Sequence, residues 1–352
     1  MIEKLLLKTN IDKLFKKYKQ SFNFFAPIKE TGNIVFRKIS DPENIELNYL
    51  NSKIPPKSVI FPKIETLFKF RQNADGIDIK KPQAINKKNI IFGIRPCDTE
   101  SFQMLKKFFG FGKYKDEIFL EKVSNTILIG IGCNNPSHTC FCTSVDGNPF
   151  KKEHLDIFLT DLGKKYLIQS ITKEGEEILK DLDFLTPPSE EDLKKAMELK
   201  DKAELLISSK LNLKDIDQAL YKNYEHELWT EISQNCIGCG TCSYLCPTCH
   251  CFDVIDEVDH YNKKGRRIRI WDTCQYSFFT RETSGHNPRP KRKQRVRQRI
   301  MHKFCYYPMN YDIIGCVGCG RCIIYCPVNN DVRKILPEFN ELKKEEEEII
   351  VA

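Results

Sequence analysis

No run of apolar residues in this chain of 352 residues is long enough to cross a bilayer. The longest, "NIIFGI" and "TILIGIG", have the length of buried strands. The opening "MIEKLLLKTNIDKLFKKYKQ" lacks the uninterrupted apolar stretch and small-residue cleavage site of a secretory signal; its apolar residues fall at helical spacing among lysines. No Gly-x-Gly-x-x-Gly follows an expected strand and no P-loop occurs, so no nucleotide site is recognisable. These absences point to a cytoplasmic protein without a membrane span or dinucleotide fold of its own. Cysteine, by contrast, is abundant: sixteen residues, many tightly clustered. In a reducing compartment such thiols are not disulfides, and their clustering argues for metal. The net charge of +8 is modest for the length.

The pattern of elements predicts an α+β protein. Residues 1–185 read as an α/β domain, with strands in "GNIVFRKI", "NIIFGIR" and "NTILIGIG" and a helix in "DTESFQMLKKFF". "HLDIFLTDLGKKYLIQSITKEG" predicts a hairpin turning at Gly163. Residues 186–233 form a helical linker. Its first helix follows Pro187 and Pro188, with Ser189 as cap and Glu190 and Glu191 in the first turn. A second, in "LKDIDQALYKNYEHELWTEIS", leads into the first cysteine cluster. Residues 234–336 are the expected metal domain, ferredoxin-like with an insertion over 252–312, and 337–352 a solvated charged tail.

Cys236, Cys239, Cys242 and Cys246, followed by Pro247, spell C-x2-C-x2-C-x3-C-P; Cys316, Cys319, Cys322 and Cys326, followed by Pro327, repeat it. The x2 spacings make a tight loop whose three thiolates can grip three irons of one cube, and Gly238, Gly240, Gly318 and Gly320 let it fold closely. The fourth cysteine, one turn further on, ligates the other cluster in two-cluster ferredoxins. One [4Fe–4S] cluster is therefore expected on Cys236, Cys239, Cys242 and Cys326, and a second on Cys316, Cys319, Cys322 and Cys246. Structural zinc, usually bound by two separated pairs, fits this spacing poorly. About seventy residues separate the runs, so the crossing requires the insertion to loop out and return.

Upstream, "GIRPCDTE" and "GCNNPSHTCFCTSV" contribute Cys97, Cys133, Cys140 and Cys142, each group after an expected strand. Neighbouring parallel strands would bring both groups to one sheet edge, and Cys97 precedes a helix N-terminus that favours a thiolate. A third [4Fe–4S] cluster is the expectation here; buried structural thiols or another metal such as zinc are the alternatives. Cys249, Cys251, Cys274 and Cys305 match no established ligand spacing, and the first two could simply pack beside the clusters.

Together "RPCD", "CFCTS", "CIGCGTCSYLCPTCHCFDV", "WDTCQ", "GHNPR" and "CVGCGRC" resemble the beta subunit of cytoplasmic sulfhydrogenases and the 4Fe–4S dicluster subunit of anaerobic sulfite reductases, from about residue 59 to 336. The resemblance implies an electron-transfer component of a soluble, anaerobic complex, not itself catalytic. Its partners would be a catalytic subunit of hydrogenase or sulfite reductase type and a flavin-containing NAD(P)H-oxidising subunit. A second reading is a reductase with a substrate-binding iron–sulfur site in the N-terminal domain. A third, an iron–sulfur nucleic-acid protein, rests only on the basic stretch with "KKGRRIRI" and "RPKRKQRVRQRIMHK". That stretch also reads as solvated surface, or as a contact for an acidic partner or for the anionic clusters. Arg266, Arg267, Arg269, Arg289 and Arg295 are the candidates for the cluster contact. His286 is either a hydrogen-bonded structural residue or a proton-coupled one.

Overall fold

The computed structural model describes residues 2–81 and 86–351, with the backbone alone over 343–351. Eleven strands are described: β1 Glu3–Leu7, β2 Asn23–Glu30, β3 Asn33–Ile39, β4 Ile64–Asn73, β5 Gly76–Lys80, β6 Asn89–Ile94, β7 Thr126–Ile131, β8 Ile157–Asp161, β9 Lys165–Ser170, β10 Phe252–Asp259 and β11 Lys264–Trp271. Seven form a mixed sheet in the order β1-β9-β8-β7-β6-β2-β3. Its centre, β2-β6-β7-β8, is parallel, and the flanking pairs are antiparallel.

The continuous apolar runs of β6 and β7 are explained by burial on both faces, as parallel strands demand. Ile90, Phe92, Ile127 and Ile129 face one core, closed by Leu14, Phe15 and Tyr18 of the helix Ile11–Tyr18. Ile91 and Leu128 face the other, closed by Phe102, Leu105 and Phe109 of the helix Pro96–Phe109. The mixed α+β class and the expected strands are present. The hairpin turns at Gly163, whose φ is +104°.

The helix Glu190–Leu205 starts at Ser189, whose side chain accepts from Asp192 N while Asp192 caps in return. The second expected helix is two: Ile216–Lys222 and Leu228–Gln234. Trp229 Nε1 donates to Asn223 O across the break at 2.9 Å, fixing the corner. The expected tail is also different. The helix Val332–Val351 runs through it, and Leu336 and Phe339 are fully buried against Trp229 in a third core that carries the second cysteine run.

Four strands form a second sheet, β10-β11-β4-β5. The insertion over 252–312 therefore begins as a hairpin that pairs with strands from the first eighty residues. Arg269 on β11 anchors it through ion pairs to Glu65 and Asp116.

Candidate metal centre

The two cysteine runs fold alike. Each turns through glycines of positive φ into a single helical turn, Thr241–Tyr244 in one and Arg321–Ile324 in the other. All eight cysteines line one enclosed cavity of about 70 Å³, together with Arg299 and Lys303. Among the described residues no three Cys, His, Asp or Glu side chains gather as one metal ion would need. Zinc, with Zn–S near 2.3 Å, would draw its thiolates to within roughly 4 Å of one another. The thiols instead surround a shared space, an arrangement that fits clusters with one thiolate per corner iron.

The insertion does return. Thr248, two residues after Cys246, donates to Gly315 O at 2.8 Å, immediately before Cys316. Lys303 Nζ donates to both Thr248 Oγ1 (2.6 Å) and Gly315 O (2.8 Å), clasping the end of one run to the start of the other. Cys246 accordingly lies within electrostatic reach of Cys316, Cys319 and Cys322 and raises the pKa of each, adding to the burial that dominates. Cys246 itself is held well below the usual thiol range. The Cys249 thiol donates to it, and Lys303, Arg299 and Lys57 stand nearby. In the first run Cys236 reinforces the burial that raises Cys242. Cys326 Sγ accepts from Asn330 N at 3.2 Å.

The upstream four also converge. Cys97, Cys133, Cys140 and Cys142 line one small cavity at the C-terminal ends of β6 and β7, and Gly318 and Cys319 of the second run form its far wall. Backbones touch there. Phe141 N donates to Gly318 O at 2.9 Å, and a Cβ on Gly318 would stand 2.5 Å from Cys142 N and Cα, so only glycine fits. Gly320 likewise abuts Thr139. Burial pushes the Cys140 and Cys142 thiols up to about 12, and that of Cys97 well above its usual value. Such thiols stay protonated unless a metal replaces the proton.

A fully buried ion pair locks the two sites together. Arg321, beside Cys322, donates to both carboxylate oxygens of Asp98 at 2.7 and 2.8 Å, beside Cys97. It also donates to Ser52 O and Ser52 Oγ.

The five arginines singled out from sequence do not line the cysteine cavity. Arg266 pairs with Glu257 and Arg267 with Asp256 across the β10–β11 hairpin, and Arg269 with Glu65 and Asp116. Arg295 donates to the Gln275, Arg289 and Pro290 carbonyls, and Arg289 is half-buried. His286 is exposed, and its backbone closes a turn with Glu282 and Ser284. The cations that do approach the sulfurs are Arg299, Lys303 and Lys57. Arg299 Nη1 donates to Cys249 Sγ at 3.4 Å. Its burial disfavours the charge, but the thiols of Cys242, Cys249, Cys322 and Cys246 more than offset this. Lys57 donates to Cys249 O and lies 4.4 Å over the Trp271 ring; burial lowers it to about 8. Sequence offered one clue: Arg299 and Lys303 are four apart, on the helical face that carries Val296 and Ile300 inward. Cys305 is buried in the third core against Met309, outside both cavities.

Residues 235–330 match the family model of a 4Fe–4S dicluster domain, so this is an iron–sulfur protein. Across 337 residues the chain is 28% identical to sulfhydrogenase 2 subunit beta of Pyrococcus furiosus, covering 93% of this chain and 95% of that one. The resemblance to sulfhydrogenase beta subunits carried by the motifs is thus borne out along nearly the whole chain. No solved structure matches it. Among the described residues no helix is long and apolar enough to cross a membrane.

Proposed function

We propose that the chain is the electron-relay component of a soluble cytoplasmic complex. It would stand between a terminal catalytic subunit of hydrogenase or sulfite reductase type and a flavin-containing NAD(P)H-oxidising subunit. The proposed ligand sets are Cys236, Cys239, Cys242 and Cys326; Cys316, Cys319, Cys322 and Cys246; and Cys97, Cys133, Cys140 and Cys142. When bound, [4Fe–4S] clusters supply one-electron redox chemistry.

The observation that carries this reading is the contiguity of the three cysteine sets. Cys319 lines both the cavity of the two runs and that of the upstream four. At the opposite end Cys239 and Ile237 are exposed, so the row of thiols runs from the sheet edge to the surface. Arg299, Lys303 and Lys57 supply positive charge where anionic thiolates meet, which favours electron acceptance there. A hydride donor delivers two electrons together, and no phosphate-cradling loop is recognisable in the chain, so that step belongs to a partner's flavin.

The anaerobically purified chain is expected to hold about twelve irons, four per cluster. Dithionite should reduce it, whereas NADH and NADPH should do so only with a flavin subunit present. Rapid NADPH bleaching of the flavin-free chain would sink the relay reading. An iron content near eight, unchanged by joint Cys97→Ser and Cys140→Ser substitution, would remove the third cluster.

A further inference from the structure

Cys251 and Cys274 belong to none of the proposed ligand sets, yet their thiols are in contact. Cys251 ends the loop leaving the first run, one residue before β10, and Cys274 lies three residues beyond β11. The hairpin pairs Phe252 with Trp271, and Asp272 N donates to Cys251 O at 3.0 Å, so its open end holds the two together. Cys251 Sγ–H donates to Cys274 Sγ. Cys274 Sγ also accepts from Gln275 Nε2 at 3.6 Å and lies 3.8 Å from Ser243 Oγ, next to Cys242. The neighbouring Cys249 is engaged elsewhere, with Cys246 and Arg299. A contacting thiol pair, with one sulfur surrounded by donors, is the arrangement from which a thiolate forms and a disulfide closes.

We propose that Cys251 and Cys274 are a redox-active dithiol that closes to a disulfide, a two-electron store set beside one-electron carriers. On oxidation two S–H bonds break and one S–S bond forms. Two protons leave to solvent, and two electrons pass singly to two equivalents of a one-electron acceptor, an iron–sulfur centre or an added viologen. Reduction reverses each change. The role as a store rests on the relay reading; the disulfide itself does not.

The test uses the full-length, iron-loaded chain, poised anaerobically with viologen mediators, quenched under denaturing conditions with N-ethylmaleimide and mapped by peptide mass spectrometry. At reducing poise both thiols should be alkylated. At oxidising poise a Cys251–Cys274 linked peptide should replace them, with a two-electron dependence on potential. Cys251→Ser should abolish the linked peptide and leave the iron content unchanged. Alkylation of both thiols at every potential would overturn the proposal. So would a loss of about four irons in Cys251→Ser, which would make the pair cluster ligands. EPR of the same samples reports on the relay separately: a linked peptide in a chain whose iron dithionite cannot reduce keeps the dithiol and removes the relay.

Discussion

The Arg321–Asp98 pair offers the sharpest test of how the cysteine sites are held together. Both side chains are fully buried, and the guanidinium meets the carboxylate through two hydrogen bonds. Replacing Arg321 with Met leaves the Asp98 carboxylate uncompensated in the interior, at a cost of about 3–5 kcal/mol. With a urea dependence near 3 kcal/mol per molar, the unfolding midpoint should fall by about 1 M or more. The joint substitution Arg321→Met, Asp98→Leu removes both charges, and buried pairs replaced by apolar residues are often neutral in stability. It should recover at least half of the loss; the remainder reflects the orphaned Ser52 carbonyl, to which Arg321 Nε donates at 2.7 Å. The assay is urea unfolding of the anaerobic, iron-loaded chain, followed by far-ultraviolet circular dichroism and by iron release. If the joint variant is destabilised by the sum of the two single variants, the sites are not coupled through this pair and the reasoning fails.

Two further predictions concern the same region. Cys246→Ser should damage the EPR signal of the cluster held by Cys316, Cys319 and Cys322, and damage confined to the cluster of its own run would refute the crossing. Burial, with His302 beside it, lowers His250 to about 3, and burial with Lys303 lowers His302 to about 4. The unfolded chain takes both protons near 6.5, so stability is full above that pH and falls as pH drops toward 4, by roughly 2.7 kcal/mol per unit. Joint His250→Gln and His302→Gln substitution should flatten the difference in urea midpoint between pH 7 and pH 5, and an unchanged difference would refute the assignment.

The central strands and the two cysteine loops were legible because each depends on local pattern. A buried parallel strand is apolar throughout, as β6 and β7 are. A loop gripping a cube needs its spacing and its glycines within a dozen residues. The basic stretch was misread because half of its meaning lies elsewhere in the chain. "KKGRRIRI" faces "DVIDEVDH" across a hairpin, pairing Asp256 with Arg267 and Glu257 with Arg266. The acidic run stands just upstream and could have been seen as a cross-strand complement. The attachment of that hairpin to β4 was beyond local pattern, since it rests on Arg269 meeting Glu65 and Asp116, residues more than 150 positions away. The tail was misjudged for a related reason: its charge is real, but Leu336 and Phe339 precede the run of glutamates and belong to the third core.

The insertion between the runs therefore does more than span a gap. A ferredoxin-like crossing needs the end of one run beside the start of the other, and a shorter link would meet that need alone. The roughly seventy residues present here add three things that a short link could not. The hairpin ties the cysteine region to the N-terminal part through β4, and its open end brings Cys251 against Cys274. The helix Arg292–Met301 and the π-turn His302–Tyr306 that continues it then carry Arg299 and Lys303 back into the cavity. Lys303 bonds both runs while standing among their sulfurs, so one side chain both closes the insertion and offsets thiolate charge. The return of the chain and the electrostatics of the site are thus a single requirement, met at the residue where the insertion rejoins the second run.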